Sequence, residues 1–410
     1  MTLTYHKKTE CQFIVKLPAS KSISNRVLIL QFLFPEIQIE NLSKASDTAI
    51  VKRCLAAIRK GDSKIDVEDA GTAFRFLTAL LAITEGKWEL SGTERLQERP
   101  ISALIDALRD LGADIDYLEK PNYAPLRIKG KSLSGGRLMM TANTSSQFIT
   151  ALMLIGTSLE KGIQIDIQGD KVSGDYIKMN QKILNELGFK VEMTQNQIGV
   201  HPNRKIKPQN IFNVESDWSA ASYFYAMAVL IPGREIHLPH LYRDSAQGDS
   251  IIAEIMQEFG VQTTFDSVGI TISGKSKQQM DFFEYNFIDC PDLAQTVISI
   301  CAALNIKGRF TGLSTLRNKE TDRIVAMQTE LSKLGHEFNS VDDIFFNLRK
   351  RKENALPKVF ELNTYHDHRM AMAFAPWAVM CDIIIDNQEV VRKSFPDFWQ
   401  ELSNLGFEIN

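Results

Sequence analysis

The sequence predicts an α/β protein of two similar domains, each built from three copies of one helix-plus-strands unit. Three observations predict it. An apolar helix face that ends in Leu-Gly, or a close variant, recurs along the chain. Period-2 alternation of apolar residues follows it, sometimes twice. A helix start headed by Ser216 and Asp217 lies near the middle of the chain.

The recurring phrase is weak in CLAAIRKGDSKI around Gly61 and clearer in ALRDLGADID around Gly112. It returns as ILNELGFKVE around Gly188, IMQEFGVQTT around Gly260, ELSKLGHEFN around Gly335 and ELSNLGFEIN around Gly406. The intervals are 51, 76, 72, 75 and 71 residues. In each copy a glycine stops a helix, and alternating apolar residues then begin a strand. A second alternating run, as in Leu126-Arg127-Ile128 and Ile270-Thr271-Ile272, predicts a hairpin after the helix. The period exceeds that of the common solenoid repeats, and helices alternating with strands make an α/β architecture. SDWSAASYFYAMAVL (216–230) and SSQFITALMLIG (145–156) read as loop-to-helix starts with Ser or Asp at the N-cap. The first of these places the main crossover near Asp217.

The 410 residues are 44% hydrophobic and 24% charged, with a formal net charge of −3 from 47 basic and 50 acidic side chains. That length allows about two to three domains, with cores that need no covalent staples. The charge balance argues against a general nucleic-acid binder, so any cationic site is local. Cys11, Cys54, Cys290, Cys301 and Cys381 are odd in number and show no CxxC spacing, which predicts reduced, mostly buried thiols in a cytosolic protein. The start, MTLTYHKKTECQ, has neither the apolar core of a signal peptide nor transit-peptide character. No apolar run of ~18 residues predicts a membrane span.

Several segments carry candidate chemistry. In LPASKSISNR (17–26), Lys21, Ser22 and Arg26 sit at or near a helix start. Unpaired backbone N–H groups and the helix dipole favour anions there, so basic side chains at that end make sense if they meet an anion. DAGTAFR (69–75) puts Gly71 in a small turn that a ligand can approach closely. Arg99 precedes Pro100, which suits the first turn of a helix. Ser145, Ser146 and Gln147, after Asn143 and Thr144, offer neutral hydrogen bonds at another helix start. In the second half, CPDLAQ (290–295) opens a helix with Asp292. RNKETDR (317–323) alternates charge, and Lys319 and Arg323 are spaced to share a helix face. Glu320 there is a candidate acid or base whose pKa its neighbours would tune. His366 and His368 flank Asp367 and precede Arg369, and Arg392-Lys393 follows later. The two histidines have no third ligand at a matching spacing, so a catalytic or phosphate-facing His-Arg pair is the better expectation than a metal. GITISGKS (269–276) fits the P-loop formula, but its variable positions alternate as a strand. A true P-loop needs a glycine-rich loop between a strand and a helix.

Taken in order, LPASKSISNR, DAGTAFR, ERP, SSQ, SDWSAASYF, PDLAQT, RNKETDR, DHRMAMAF and KSFPDFW resemble one family, the 5-enolpyruvylshikimate-3-phosphate synthases. The resemblance runs from about residue 15 to 405, and KSISNR and KETDR are its most specific parts. It implies an inside-out α/β barrel in each of two domains, with helices inside and the active site in the cleft between them. It implies a discontinuous domain, 1–17 with 217–410, and an inserted one, 18–216. It also implies a shikimate-pathway transferase of aromatic amino acid biosynthesis that makes the precursor of chorismate. That enzyme is cytoplasmic and monomeric, takes phosphoenolpyruvate and shikimate-3-phosphate, and uses no metal or organic cofactor, nucleic acid or membrane.

By matched position, Lys21, Ser22, Arg26, Ser145, Ser146, Gln147, Ser173, Tyr176, Asp292 and Lys319 resemble the shikimate-3-phosphate contacts. Lys21, Gly71, Arg99, Gln147, Arg323, Arg369 and Lys393 resemble the phosphoenolpyruvate contacts. Lys21, Asp292 and Glu320 resemble the catalytic groups. Three positions depart from the family pattern: Asp69 where Asn is common, Phe76 where Pro is common, and Thr315 where Asn is frequent. Gly71 itself resembles the glyphosate-sensitive arrangement. The nearest alternative, UDP-N-acetylglucosamine enolpyruvyl transferase, usually has a reactive cysteine downstream of the glycine turn. LSGTERLQERP (90–100) has none. A non-catalytic anion-binding relative would be expected to lose Lys21, Asp292 or Glu320.

Overall fold

All six repeated glycines take the left-handed backbone that ends a helix without a Cβ clash. Their φ values are 87° at Gly61, 93° at Gly112, 87° at Gly188, 84° at Gly260, 82° at Gly335 and 104° at Gly406. The computed structural model describes residues 1–141, 145–169, 174–202, 211–275, 280–351 and 356–410. The chain divides into two units, Met1–Ala19 with Glu215–Asn410, and Ser20–Val214.

One sheet pattern repeats. An edge strand lies parallel to its neighbour, and a hairpin or its equivalent adds two antiparallel strands. In Ser20–Val214 this gives 64–66, 86–91, 126–130, 114–117 and then 136–141, 163–168, 197–200, 191–193. The other unit has 12–14, 235–239, 269–274, 261–265 and 282–286, 307–311, 346–349, 337–339. Its third sheet runs 359–362, 382–385, 2–5, 407–409.

The hairpin expectation needs two corrections. After Gly406 only one strand remains before the chain ends, and Thr2–Tyr5 supplies the other from the opposite terminus. After Gly61 the strand Lys64–Asp66 joins the next sheet as its edge, with no hairpin. The third sheet of Ser20–Val214 is the two-stranded pair Gln38–Glu40 and Ile211–Asn213 among the described residues.

Helices fill the interior of each unit. Gly71–Ile83 buries every residue from Ala73 to Ala82, and Ala294–Ala303 buries all of its residues. Trp218–Leu230 is buried nearly all round. A helix apolar on every side must be enclosed. Accordingly, Trp218–Leu230 packs on strands 235–239, 261–265 and 269–274 and on helix 294–303. Gly71–Ile83 likewise packs on strands 86–91 and 126–130 and on helix 146–156. The predicted caps form: Ser145 accepts from Gln147 N at 3.4 Å and Asp217 from Ala220 N at 3.0 Å. Gly269–Gly274 is a strand paired on both sides, which removes it as a phosphate loop.

Candidate active site

In Ser20–Val214, Arg26, Arg99 and Gln147 meet at the first two turns of helix Gly71–Ile83. Ser20 caps helix Lys21–Leu33, which sets Lys21 and Ser22 in its first turn and Arg26 one turn on. The Lys21 ammonium lies 3.2 Å from Asp47 Oδ2. Arg26 is 3% exposed and donates from Nη1 to the Ser22 carbonyl at 2.6 Å. Its guanidinium stands 5.5 Å from the Phe76 ring centroid and 5.9 Å from that of Tyr176. Burial lowers its pKa to about 10 against an opposing pull from Tyr176, so it stays cationic at neutral pH. Phe76, a departure from the family pattern, is thus one wall of an aromatic clamp on Arg26.

Gly71 opens its helix with no side-chain cap bond from Ala70. A Cβ built on it would lie 2.3 Å from Arg99 Nη1 and 2.7 Å from Arg75 Nη1. Two guanidiniums therefore converge on a helix N-terminus, whose dipole is itself positive; an anion would neutralise all three. Arg75, which sequence reasoning passed over, donates to the Gly71 carbonyl at 2.7 Å and lies over Phe148. Gln147 donates to Thr72 Oγ1 at 3.3 Å, which brings the start of helix Ser146–Gly156 to the same place. Asp69 is exposed in the turn before Gly71. Pro100 precedes the N-cap Ile101 rather than occupying the first helical turn, so Arg99 projects from a loop. Ser173, Asn143 and Thr144 lie outside the described residues.

In the other unit, Arg323 is the hub. It is the first residue of its helix and its side chain is 2% exposed. Nε donates to Asp367 Oδ2 at 2.7 Å, Nη1 to Asp292 Oδ1 at 3.1 Å and Nη2 to Glu320 Oε2 at 2.9 Å. Burial works against its charge, but the Asp367, Glu320 and Asp292 carboxylates outweigh that and raise its pKa. Asp292 is shared further: Arg369 Nη2 reaches Oδ2 at 2.9 Å, and Lys319 Nζ reaches Oδ1 at 3.4 Å. Burial lowers the Lys319 pKa, opposed by Asp292. Lys393 Nζ lies 3.8 Å from Glu320 Oε1.

The structure thus joins Asp292, Lys319, Glu320, Arg323, Arg369 and Lys393 in one network. Lys319 precedes the N-cap Asp322, so it meets Arg323 through Asp292 and not along a shared helix face. Asp367 is the member missed as a site residue. It caps helix His368–Phe374 by accepting from Arg369 N at 2.9 Å and holds Arg323 with the same carboxylate. The left-handed backbone at Tyr365 (φ 53°) and His366 (φ 55°) leads into that cap. His366 is exposed and His368 is buried, and no metal-holding group of three His, Cys, Asp or Glu occurs among the described residues.

Buried helices inside repeated mixed sheets define the class, the enolpyruvyl-transferase fold. An EPSP synthase from Acinetobacter baumannii aligns with a TM-score of 0.77 at 20% identity, covering 100% of this chain and 99% of that one. An enolpyruvyl transferase from Streptomyces tendae aligns at 0.71 and 13% identity, covering 100% and 98%. Within that class the chain belongs to the EPSP synthase (3-phosphoshikimate 1-carboxyvinyltransferase) family, whose model matches residues 36–402. A 3-phosphoshikimate 1-carboxyvinyltransferase from Bacteroides fragilis is 42% identical, over 96% of this chain and 95% of its own length. One from Haemophilus influenzae is 34% identical, over 95% and 96%.

Proposed function

We infer that the chain transfers the enolpyruvyl group of phosphoenolpyruvate to the 5-hydroxyl of shikimate-3-phosphate and releases phosphate. The observation that carries this reading is the network of two candidate acid–base carboxylates, Asp292 and Glu320, joined through Arg323 and flanked by Lys319, Arg369 and Lys393. Both substrates carry a phosphate and a carboxylate, which Arg and Lys neutralise and orient.

Lys21, Ser22, Arg26, Ser145, Ser146, Gln147, Ser173, Tyr176, Asp292 and Lys319 take shikimate-3-phosphate. Lys21, Gly71, Arg99, Gln147, Arg323, Arg369 and Lys393 take phosphoenolpyruvate. Asp292 accepts the hydroxyl proton as the oxygen adds to C2 of phosphoenolpyruvate, while Glu320, with Lys21, delivers a proton to the C3 methylene. The product of that step is a tetrahedral intermediate with phosphate still on C2. Loss of a C3 proton then restores the double bond as the C2–O bond to phosphate breaks. The reaction as written needs no metal or organic cofactor.

Asp292 is held by Arg323, Arg369 and Lys319. The chain would act as a cytoplasmic monomer.

Purified protein supplied with phosphoenolpyruvate and shikimate-3-phosphate is expected to release phosphate, and none with UDP-N-acetylglucosamine as acceptor. Release with the sugar nucleotide alone would overturn the substrate; release with neither would favour a binding protein. Glu320→Gln is expected to lower kcat at least ~100-fold, the scale of one general acid–base group, with ligand affinity by calorimetry nearly unchanged.

A further inference from the structure

Lys319 and Glu320, with Thr321, lie in a short stretch that belongs to no helix or strand. Regular structure therefore does not aim their side chains, yet both enter the charged network, Lys319 at Asp292 and Glu320 at Arg323. The two ends of that stretch are tied together. Arg317, in the 3-10 turn Ser314–Asn318, donates from Nη1 to Asp322 Oδ2 at 2.9 Å. The other oxygen of Asp322 caps the following helix, accepting from Ile324 N at 3.0 Å and Val325 N at 3.1 Å. Arg317 Nη2 reaches Asp343 Oδ1 at 2.5 Å, in the turn between strands 337–339 and 346–349. One guanidinium thus fastens the turn, the helix start and the hairpin.

We propose that Arg317 is a positioning residue: its ion pair with Asp322 closes residues 317–322 into a loop that aims Lys319 and Glu320 into the network. The assignment of a reaction to that network rests on the function proposed above; the closure itself does not. Closing a short loop removes conformations in which the two side chains point elsewhere. The pair is also badly placed to act through global stability. The Arg317 side chain is 33% exposed, Asp322 34% and Asp343 66%, and exposed pairs contribute little to folding. Its loss should therefore appear in kinetics before it appears in melting.

The test is a cycle with Glu320. Arg317→Gln is expected to lower kcat for phosphate release about tenfold in the wild-type background and to add almost nothing in the Glu320→Gln background, because coupled residues are non-additive. Arg317→Lys should recover part of the loss. Equal fold-losses in both backgrounds would assign Arg317 a general structural role and overturn the proposal. Amide hydrogen exchange across 317–323 in the free protein reads the closure without any reaction. Exchange faster in Arg317→Gln and slower again in Arg317→Lys supports it; exchange unchanged in both overturns it. If the wild-type protein releases no phosphate with either acceptor, the proposed function fails and the exchange result still decides the closure. Should Arg317→Gln not fold, Asp322→Asn carries the same test, since Asn keeps the helix cap while dropping the charge.

Discussion

Gly71 shows how one missing methyl shapes a site. Adding a Cβ would crowd the guanidinium ends of Arg99 and Arg75, at 2.3 and 2.7 Å, and not backbone. The fold can accommodate Gly71→Ala by moving guanidiniums, so the cost falls on the anion they would hold. Gly71→Ala is expected to raise the KM for phosphoenolpyruvate about tenfold, ~1.4 kcal/mol, with the thermal midpoint nearly unchanged. Inhibition by glyphosate, expected for the wild type, should weaken in the same variant; a KM that stays put would show that Arg99 does not meet this substrate. Phe76 acts from behind. It is 1% exposed and lies under the Arg26 guanidinium. Phe76→Leu keeps an apolar side chain and removes the ring face, a loss of about 0.5–1 kcal/mol for such a cation–π contact. A rise of about threefold in the KM for shikimate-3-phosphate at constant kcat is expected. An unchanged KM would leave Phe76 as packing alone.

Whole elements explain what the sequence could and could not disclose. A helix stopped by glycine needs the left-handed backbone, and that local need is written into the residue type, so all six stops were legible. Strand partners were not. Thr2–Tyr5 pairs with Phe407–Ile409 and Asp382–Ile385, a choice made by packing at the far end of the chain. The hub Arg323 and its partners Asp292 and Glu320 stood in quotable motifs; Asp367 stood in DHRMAMAF without its hold on Arg323 showing, and Asp47 and Asp249 are ordinary acids until burial distinguishes them. Asp249 joins two elements, accepting from Ser219 in the first turn of helix Trp218–Leu230. Burial first, and then the Asp292 charge, push its carboxyl up to about 7, with Arg369 and Ser219 pulling the other way and Asp217 adding to the rise. An ordinary Asp titrates near ~3.9, so between about pH 4 and 7 the unfolded chain gives up a proton that the folded one keeps. The stability Asp249 contributes is full at the acid end of that window and is lost as pH rises through it. The melting temperature of wild type relative to Asp249→Asn should therefore fall from about pH 5 to pH 8; a flat difference would place the proton elsewhere.

The whole chain is organised by a departure and a return. The Met1 amino group donates to the Ile385 carbonyl at 3.2 Å, and Thr2–Tyr5 lies inside its sheet, not at the edge. Gln12–Ile14 then adds an edge strand beside Glu235–Pro239. The sheet that holds Thr2–Tyr5 therefore cannot be completed until Phe407–Ile409 is made, and such distant pairing is slow, whereas the sheet of 282–286, 307–311, 346–349 and 337–339 forms from neighbouring chain. Ser20–Val214 has the opposite character, since each of its sheets draws its strands from within that span. Expressed alone, Ser20–Val214 should unfold as one cooperative transition in urea. Glu215–Asn410 alone lacks one interior strand and one edge strand, which leaves unpaired backbone along buried sheet edges. It should aggregate or expose apolar surface to a hydrophobic dye, and co-expression with residues 1–19 should recover it in part. Cooperative folding of Glu215–Asn410 without the first nineteen residues would show that the N-terminal strands finish that unit but do not make it.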